Sequence, residues 1–211
     1  MKLSAVCVDM EVVIKSNAMI EIRTLEIAGL ASVLQALRLP FGKECRSYCG
    51  WSENLIQHSD SDKELYFPSL TLHEINDKDL KLLSTLVKRG TEHAKAIRGL
   101  VVYAEINAPI YFLREIETYR AGRERLASNS TMHQQCKGLV GEELVKAKSE
   151  MPMGTMQKTV DMMSYQCIRN IVKQREGHRL PEWKTFIDWA RTLPFANELI
   201  FVGLDKEDNN E

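Results

Sequence analysis

A run of β-type residues from Leu100 to Ile106 ends in Asn107-Ala108-Pro109 and passes without a linker into a helical pattern. Proline suits the first turn of a helix, where its missing N–H costs nothing. In that helix Ile110, Leu113 and Ile116 share one side, and Arg114, Glu117 and Arg120 lie around another, until Ala121-Gly122 breaks the pattern. The small hydroxyl run Ser128-Asn129-Ser130-Thr131 follows. The spacing therefore predicts a strand, a helix and a polar loop in direct succession.

Other segments are less constrained. Leu3 to Val8 and Glu11 to Ile14 read as a strand or hairpin. Ile22, Leu25, Ala28 or Gly29, Val33, Leu34 and Leu37 recur at helical spacing up to Pro40, which predicts one amphipathic helix. Residues 41 to 70 mix Gly, Ser, Asp and Pro with Tyr48, Trp51, Tyr66 and Phe67, the composition of an irregular segment pinned by aromatic side chains. Asn76 or Asp77 can cap a helix bearing Leu80, Leu83, Leu86 and Val87, closed by Lys88-Arg89-Gly90, with His93 just beyond. A solvated stretch is expected up to Glu150. Met151-Pro152 then precedes a long helical pattern through Met156, Val160, Met163, Cys167, Ile168 and Ile171. After Leu180-Pro181, the residues Trp183, Phe186, Ile187 and Ala190 predict a short last helix, and Asp205 to Glu211 an acidic, frayed tail. The architecture expected is α+β, with a single domain over 1–204 and a tail over 205–211.

Composition excludes several functions. Lysine plus arginine number 28 against 29 aspartate plus glutamate, so no global field draws a polynucleotide. No apolar run reaches the ~20 residues of a bilayer span, and no signal-type stretch follows Met1, so a cytoplasmic protein without membrane attachment is expected. Five cysteines at irregular spacing fit reduced thiols. Cys45, Cys49 and His58 make a weak zinc candidate, and no metal is expected. There is no Gly-rich phosphate loop, no recognisable Ser-His-Asp order and no pair of histidines at i, i+4.

What remains is anion-binding equipment. Arg114, Arg120, Arg123 and Arg125 cluster at a helix end and in the loop after it, where guanidinium forks can converge on a phosphate. The interleaved Glu115, Glu117 and Glu124 support the alternative of a solvated, paired surface. The Ser128 to Thr131 run can contact an anion or form an ordinary turn. His93 beside Glu92 can meet a heterocycle or be a surface residue; His133 and His178 are equally ambiguous.

Taken in order, these pieces resemble the flavin-dependent thymidylate synthase family. Its hallmark is an Arg-His-Arg triplet ending a helix, followed by a Ser-x-Asn-x-x-Ser-x-Arg loop. Gly90 and His93, the Leu100 to Ile106 strand, Ala108-Pro109-Ile110-Tyr111, then Thr118-Tyr119-Arg120 follow the family's sequence of elements. Downstream, Ala147-Lys148 before Met151-Pro152, then Asn170, Gln174-Arg175 and Glu182-Trp183 continue it. The resemblance spans about residues 75 to 190. It departs from the family in keeping only Arg120 of the triplet. Arg98-Gly99 stands where a Glu-His pair belongs, Ser130 or Met132 where the loop arginine belongs, and Glu115 where a glutamine is common.

The resemblance implies an antiparallel or mixed sheet packed with long helices, and homotetramers with sites between subunits. It implies methylation of dUMP, a pyrimidine mononucleotide, with reduced folate as one-carbon donor and FAD supplying reducing equivalents. Arg114, Glu115, Ser128, Ser130, Lys148 and Arg175 would hold the nucleotide; His93, Arg120 and Asn170 would be the remaining flavin contacts; no catalytic side chain is singled out. Lys148 keeps the charge of a phosphate-reaching arginine but loses its fork. Erosion of the triplet leaves two rivals: a flavin-free nucleotide hydroxymethyltransferase, and a non-catalytic protein that binds or sequesters nucleotides on the same fold.

Overall fold

The computed structural model describes residues 13–15, 20–44, 46–56 and 65–204, with backbone alone for 13–15, 48–56 and 65–73. The expected Leu3–Val8 strand, Cys45, the side chain of Cys49, His58, the aromatic side chains at 48, 51, 66 and 67, and the acidic tail lie outside the described residues. The described residues divide into two compact units, one holding Ala28–Leu100, the other those within Met10–Ile27 together with those from Val101 onward.

In the first unit, α1 (Leu30–Leu37) buries Ala31, Val33, Leu34 and Leu37, and β3 (Tyr48–Ile56) pairs antiparallel with β4 (Leu65–Glu74). The irregular segment expected over 41–70 is therefore largely a hairpin. Its composition resembles a loop because strand pairing is a nonlocal gain that residue content does not register. Helix α2 (Asp77–Lys88) forms as its sequence dictates: the Asn76 side chain accepts from Lys78 N at 3.0 Å, aspartates occupy the first turn, and Lys88 sits in the last. Leu83 and Val87 are fully buried. Asp79, on the same helix, accepts from Arg38 Nε at 2.6 Å, from Arg46 N and Ser47 N at 2.7 Å each, and from Ser47 Oγ at 2.8 Å. Burial pushes its carboxyl up, but these donors outweigh burial and hold it below the usual carboxylate range. It ties the segment before β3 to α2.

The second unit is built on a five-stranded sheet in the order β1-β2-β5-β7-β6. Its strands are β1 (Val13–Lys15), β2 (Glu21–Ala28), β5 (Val101–Pro109), β6 (Arg123–Ser128) and β7 (Met156–Ser164). The β1–β2, β5–β7 and β6–β7 pairs are antiparallel. Three sequence expectations are corrected by this sheet. The helix expected from Ile22 to Leu37 is β2 followed by α1, because Ile20 and Ile22 also alternate as strand residues and both are buried. Gly29, at φ 94°, separates the two elements, and a Cβ there would collide with the Gly99 carbonyl oxygen. The long helix expected from Met156 is β7 for its first half and α5 (Tyr165–Arg175) for its second. In β7 the alternate residues Thr159, Asp161 and Met163 are buried while Met162 and Val160 are half-buried, a period of two that a sparse methionine pattern conceals. The loop expected after Gly122 contains β6. Outside the sheet, the stretch before Glu150, expected to be solvated, contains α4 (Gly141–Ser149), which buries none of its residues.

Two strands run directly into helices, and this positions the site. After β5, Pro109 caps α3 (Ile110–Ile116), whose first amides donate to Thr155 O and Met153 O at 3.0 Å each. After β7, the Ser164 side chain caps α5 by accepting from Cys167 N at 3.2 Å. Since Pro109 pairs with Met156 and Val101 with Ser164, α3 and α5 leave the sheet at opposite ends. The turn after α3 returns to the start of α5 at Gly122, whose carbonyl accepts from Ser164 N at 2.7 Å. Gly122 has φ 80°, and a Cβ there would strike Ser164 Oγ, so glycine is required twice over. Helix α6 (Pro181–Arg191), with proline in its first turn, buries Trp183, Phe186, Trp189 and Ala190.

Candidate functional site

Of the four clustered arginines, two face inward. Arg123 Nε donates to Asp161 Oδ2 at 2.9 Å, its NH2 makes a second bond to the same oxygen, and NH1 reaches Ile116 O at 3.4 Å. Arg125 pairs with Glu117 through NH1, approaches Asp161 Oδ1 at 3.5 Å and Leu113 O at 3.5 Å. Both forks thus add side-chain donors at the C-terminal end of α3, at the Ile116 and Leu113 carbonyls, which also accept from the backbone amides of Tyr119 and Glu117. Of the two alternatives for this cluster, Arg125 follows the paired one, through Glu117, while the buried Asp161 on β7 takes the charge of Arg123, so neither is left for a phosphate. Arg114 and Arg120 are exposed and have no partner among the described residues.

Arg175, near the end of α5, is gripped from several directions. Its Nε donates to Tyr119 Oη at 2.7 Å, NH1 lies 3.0 Å from His178 Nε2 and 3.5 Å from Glu115 Oε2. The guanidinium sits over Trp183, 4.6 Å from the ring centroid, and 5.5 Å from that of Tyr119. Trp183 Nε1 donates to Glu115 Oε2 at 2.9 Å. Glu115 Oε2 is therefore committed and Oε1 is left open; Arg175 NH2 is likewise without a partner among the described residues. The cluster presents one free donor edge beside one free acceptor. Next to it, Tyr111 Oη donates to Glu182 Oε1 at 2.5 Å. That bond above all, then burial and the carboxylate's charge, pushes the Tyr111 phenol up to about 12.

A second polar arrangement joins the Ser128 to Thr131 run to α4. Asn129 fixes the run on β7: its amide donates to Lys158 O, its Oδ1 accepts from Lys158 N, and its carbonyl accepts from Gln157 Nε2, all at 2.9 Å. Ser130 Oγ accepts from Met132 N at 3.2 Å, and Lys148 Nζ donates to Thr131 Oγ1. Ser128 is exposed at the end of β6. Asn170 Oδ1 accepts from Gln166 Nε2 at 3.0 Å, which leaves Gln166 Oε1 buried without a partner. His93 belongs to the first unit, where it is exposed ahead of a short 3-10 turn, Ala94–Arg98.

The structure thus brings Glu115 to Arg175 and the hydroxyl run to Lys148. Sequence reasoning gave no role to the Tyr119 hydroxyl, to His178 or to the Tyr111–Glu182 pair, and took Asn129 only as part of the polar run; His178 had a local signal, since it stands three residues after Arg175. Among the described residues, no group of three His, Cys, Asp or Glu side chains is placed to hold a metal, and no helix is long and apolar enough to cross a membrane.

The fold is α+β, of the kind seen in flavin-dependent thymidylate synthases. The chain is similar to the flavin-dependent thymidylate synthase ThyX from Helicobacter pylori complexed with FAD and dUMP, with a TM-score of 0.59 at 13% identity over 86% of this chain and 98% of that one. It is also similar to the UMP/dUMP methylase PolB from Streptomyces cacaoi bound with 5-Br dUMP, with a TM-score of 0.55 at 12% identity over 90% of this chain and 99% of that one. At such identities the likeness establishes the fold. No family model and no curated protein sequence matches the chain.

Proposed function

We propose that this chain is a transferase that places a one-carbon unit on the base of a pyrimidine deoxynucleotide monophosphate, in the simplest case dUMP, with reduced folate as the donor. The observation that carries the reading is a pair of differently built cation sites in one unit: Lys148 against a fixed hydroxyl loop, and Arg175 with a free edge beside Glu115. The similar ThyX and PolB structures hold dUMP and 5-Br dUMP. Lys148 with Ser128, Ser130 and Thr131 suits a 5′-phosphate, as a point charge backed by hydroxyl donors. Arg114 is exposed on α3 with no side-chain partner among the described residues, which leaves its charge available to an anion. Arg175 NH2 can donate to a pyrimidine carbonyl while Glu115 Oε1 accepts from a ring N–H or amino group. The chain's contribution is orientation and charge stabilisation.

FAD is the cofactor of this reading, and it would supply reducing equivalents when bound. Asn170 Nδ2 as a free donor beside the orphaned acceptor Gln166 Oε1 fits the imide edge of a flavin ring, and Arg120 is free to meet an anionic part of it. His93 would be a further contact, and sites shared between subunits of a homotetramer belong to the same proposal. One observation favours a flavin-free version: Tyr119, at the triplet's middle position, has its hydroxyl committed to Arg175. Hydroxymethyl transfer exchanges the C5 proton for a one-carbon unit from methylene-folate plus water and needs no hydride.

Incubation of the protein with dUMP or dCMP and methylene-folate, with and without FAD and a reductant, tests the reading by product mass. Gain of a methyl group supports the flavin version, and gain of a hydroxymethyl group the flavin-free one. Tight dUMP binding by calorimetry without turnover in any combination identifies a nucleotide-sequestering protein. Absence of binding to both dUMP and dCMP refutes the whole proposal.

A further inference from the structure

His178 has both ring nitrogens against donors. Arg175 NH1 lies 3.0 Å from Nε2, and the Leu180 amide donates toward Nδ1 at 3.2 Å. A neutral imidazole has one acceptor nitrogen, an imidazolium none, and arginine is a donor at every accessible pH. His178 can therefore satisfy one of its two neighbours when neutral and neither when charged. The contact with Arg175 is charge-assisted and so the stronger, which places the single proton on Nδ1.

We propose that His178 is a positioning residue: as the neutral Nδ1–H imidazole it holds the Arg175 guanidinium in its binding orientation, and on taking a second proton it releases it. This rests on the nucleotide reading of Arg175. The other groups around the imidazole do not remove the conflict. Glu176 and Arg179 flank it in the chain, with opposite charges. From α3 and the turn after it, Glu115 and Tyr119 contact Arg175, and Glu115 Oε2 is already shared with Trp183. From α6, the Trp183 ring meets the imidazole edge-on at 6.2 Å, and Glu182 is turned to Tyr111. A protonated His178 thus places a cation directly against the cation it held. Arg175 then keeps Tyr119, Trp183 and the longer, 3.5 Å approach of NH1 to Glu115, but loses the shorter of the two contacts that fix NH1, and with it part of what directs the free NH2 edge.

His178 is exposed, so His178→Gln leaves the core intact; its amide oxygen can accept from Arg175 but cannot titrate. The 5′-phosphate of dUMP titrates in the same range as histidine, and the variant shares that limb. The informative quantity is the ratio of the dUMP dissociation constants, parent over His178→Gln, measured by calorimetry. As the pH is lowered from neutral that ratio should rise by about tenfold, and a ratio constant within about twofold overturns the proposal. A second readout needs no ligand. Long-range proton–nitrogen NMR of the free protein should show His178 as the Nδ1–H tautomer at neutral pH, with the Arg175 Nε–H resonance moving as the ring is protonated. An Nε2–H tautomer, or a stationary Arg175 resonance, overturns the latch. The expected tautomer and shift without dUMP binding at any pH leaves the latch standing and removes the nucleotide function.

Discussion

Arg123 and Arg175 carry the same fork and are held to opposite ends. The Arg123 side chain is 4% exposed, and its nitrogens are spent on a fully buried carboxylate and a helix carbonyl. The Arg175 side chain is 20% exposed, laid over an indole and fixed by a phenol, an imidazole and a carboxylate, with NH2 left over. What separates a structural arginine from an available one is whether its counter-charge is buried with it. Arg123 stabilises the end of α3. Arg175 is oriented by the residues that α3 and its following turn bring to it.

Removing the buried counter-charge should give the largest effect. Asp161→Ala leaves Arg123 enclosed with an uncompensated charge and should cost about 3–5 kcal/mol, seen as a lower urea midpoint. A loss below about 1 kcal/mol would erase the distinction between the two arginines. Arg175→Ala should do the reverse, with stability changed little but dUMP affinity reduced about tenfold to a hundredfold, the worth of a hydrogen bond to a charged group. Arg175→Lys should recover little of it, because an ammonium cannot hold Tyr119 and His178 and still present a free edge. Equal losses of stability in Asp161→Ala and Arg175→Ala would mean that both arginines are structural. Lys148→Ala sharpens the comparison from the phosphate side: about a tenfold weakening is expected for dUMP and none for deoxyuridine, by calorimetry on both ligands.

The strand-to-helix step at Pro109, the Asn76 cap and the Pro181 helix start were legible because each is written in contiguous residues. Helix α6 was legible through its spacing, with Trp183, Phe186, Ile187 and Ala190 all buried. The second halves of two expected helices, α1 and α5, were right while their first halves are strands. In both, apolar residues fall where a period of two and a period of 3.6 agree over a few positions, and pairing with a distant strand decides between them. The site divides in the same way. Glu115 and Arg175 were picked through the resemblance, and their meeting at 3.5 Å depends on how α3 and α5 fold back from opposite ends of the sheet. Arg123 and Arg125 looked like members of an anion cluster because their partner, Asp161, stands 38 residues beyond Arg123, on another strand. Tyr119 and Asn129 stood inside recognised segments, the triplet and the hydroxyl run, but their partners, Arg175 and Lys158, were not legible, since a lone hydroxyl or amide acquires its role from what the tertiary structure sets against it.

The Tyr111–Glu182 pair lies between the two arginine cases and gives the smallest expected effect. Glu182 is 3% exposed, but its partner is a neutral hydroxyl rather than a buried cation. The phenol of Tyr111 is pushed up to about 12, whereas in the unfolded chain it titrates near the ordinary value of about 10. The protonated form is thus the one favoured by folding. Its contribution is complete below about pH 10 and is lost as pH rises from about 10 through about 12, where the unfolded chain has released the proton and the folded chain still holds it. Tyr111→Phe should cost about 1 kcal/mol near neutral pH, because Glu182 Oε1 loses its donor while Oε2 already lacks one. Urea midpoints of the parent and the variant should then converge as pH is raised through that window. A constant difference between them would show that the phenol acts by packing rather than by donating its proton, and would move Glu182 into the same class as Asp161, a buried carboxylate that needs a fixed charge beside it.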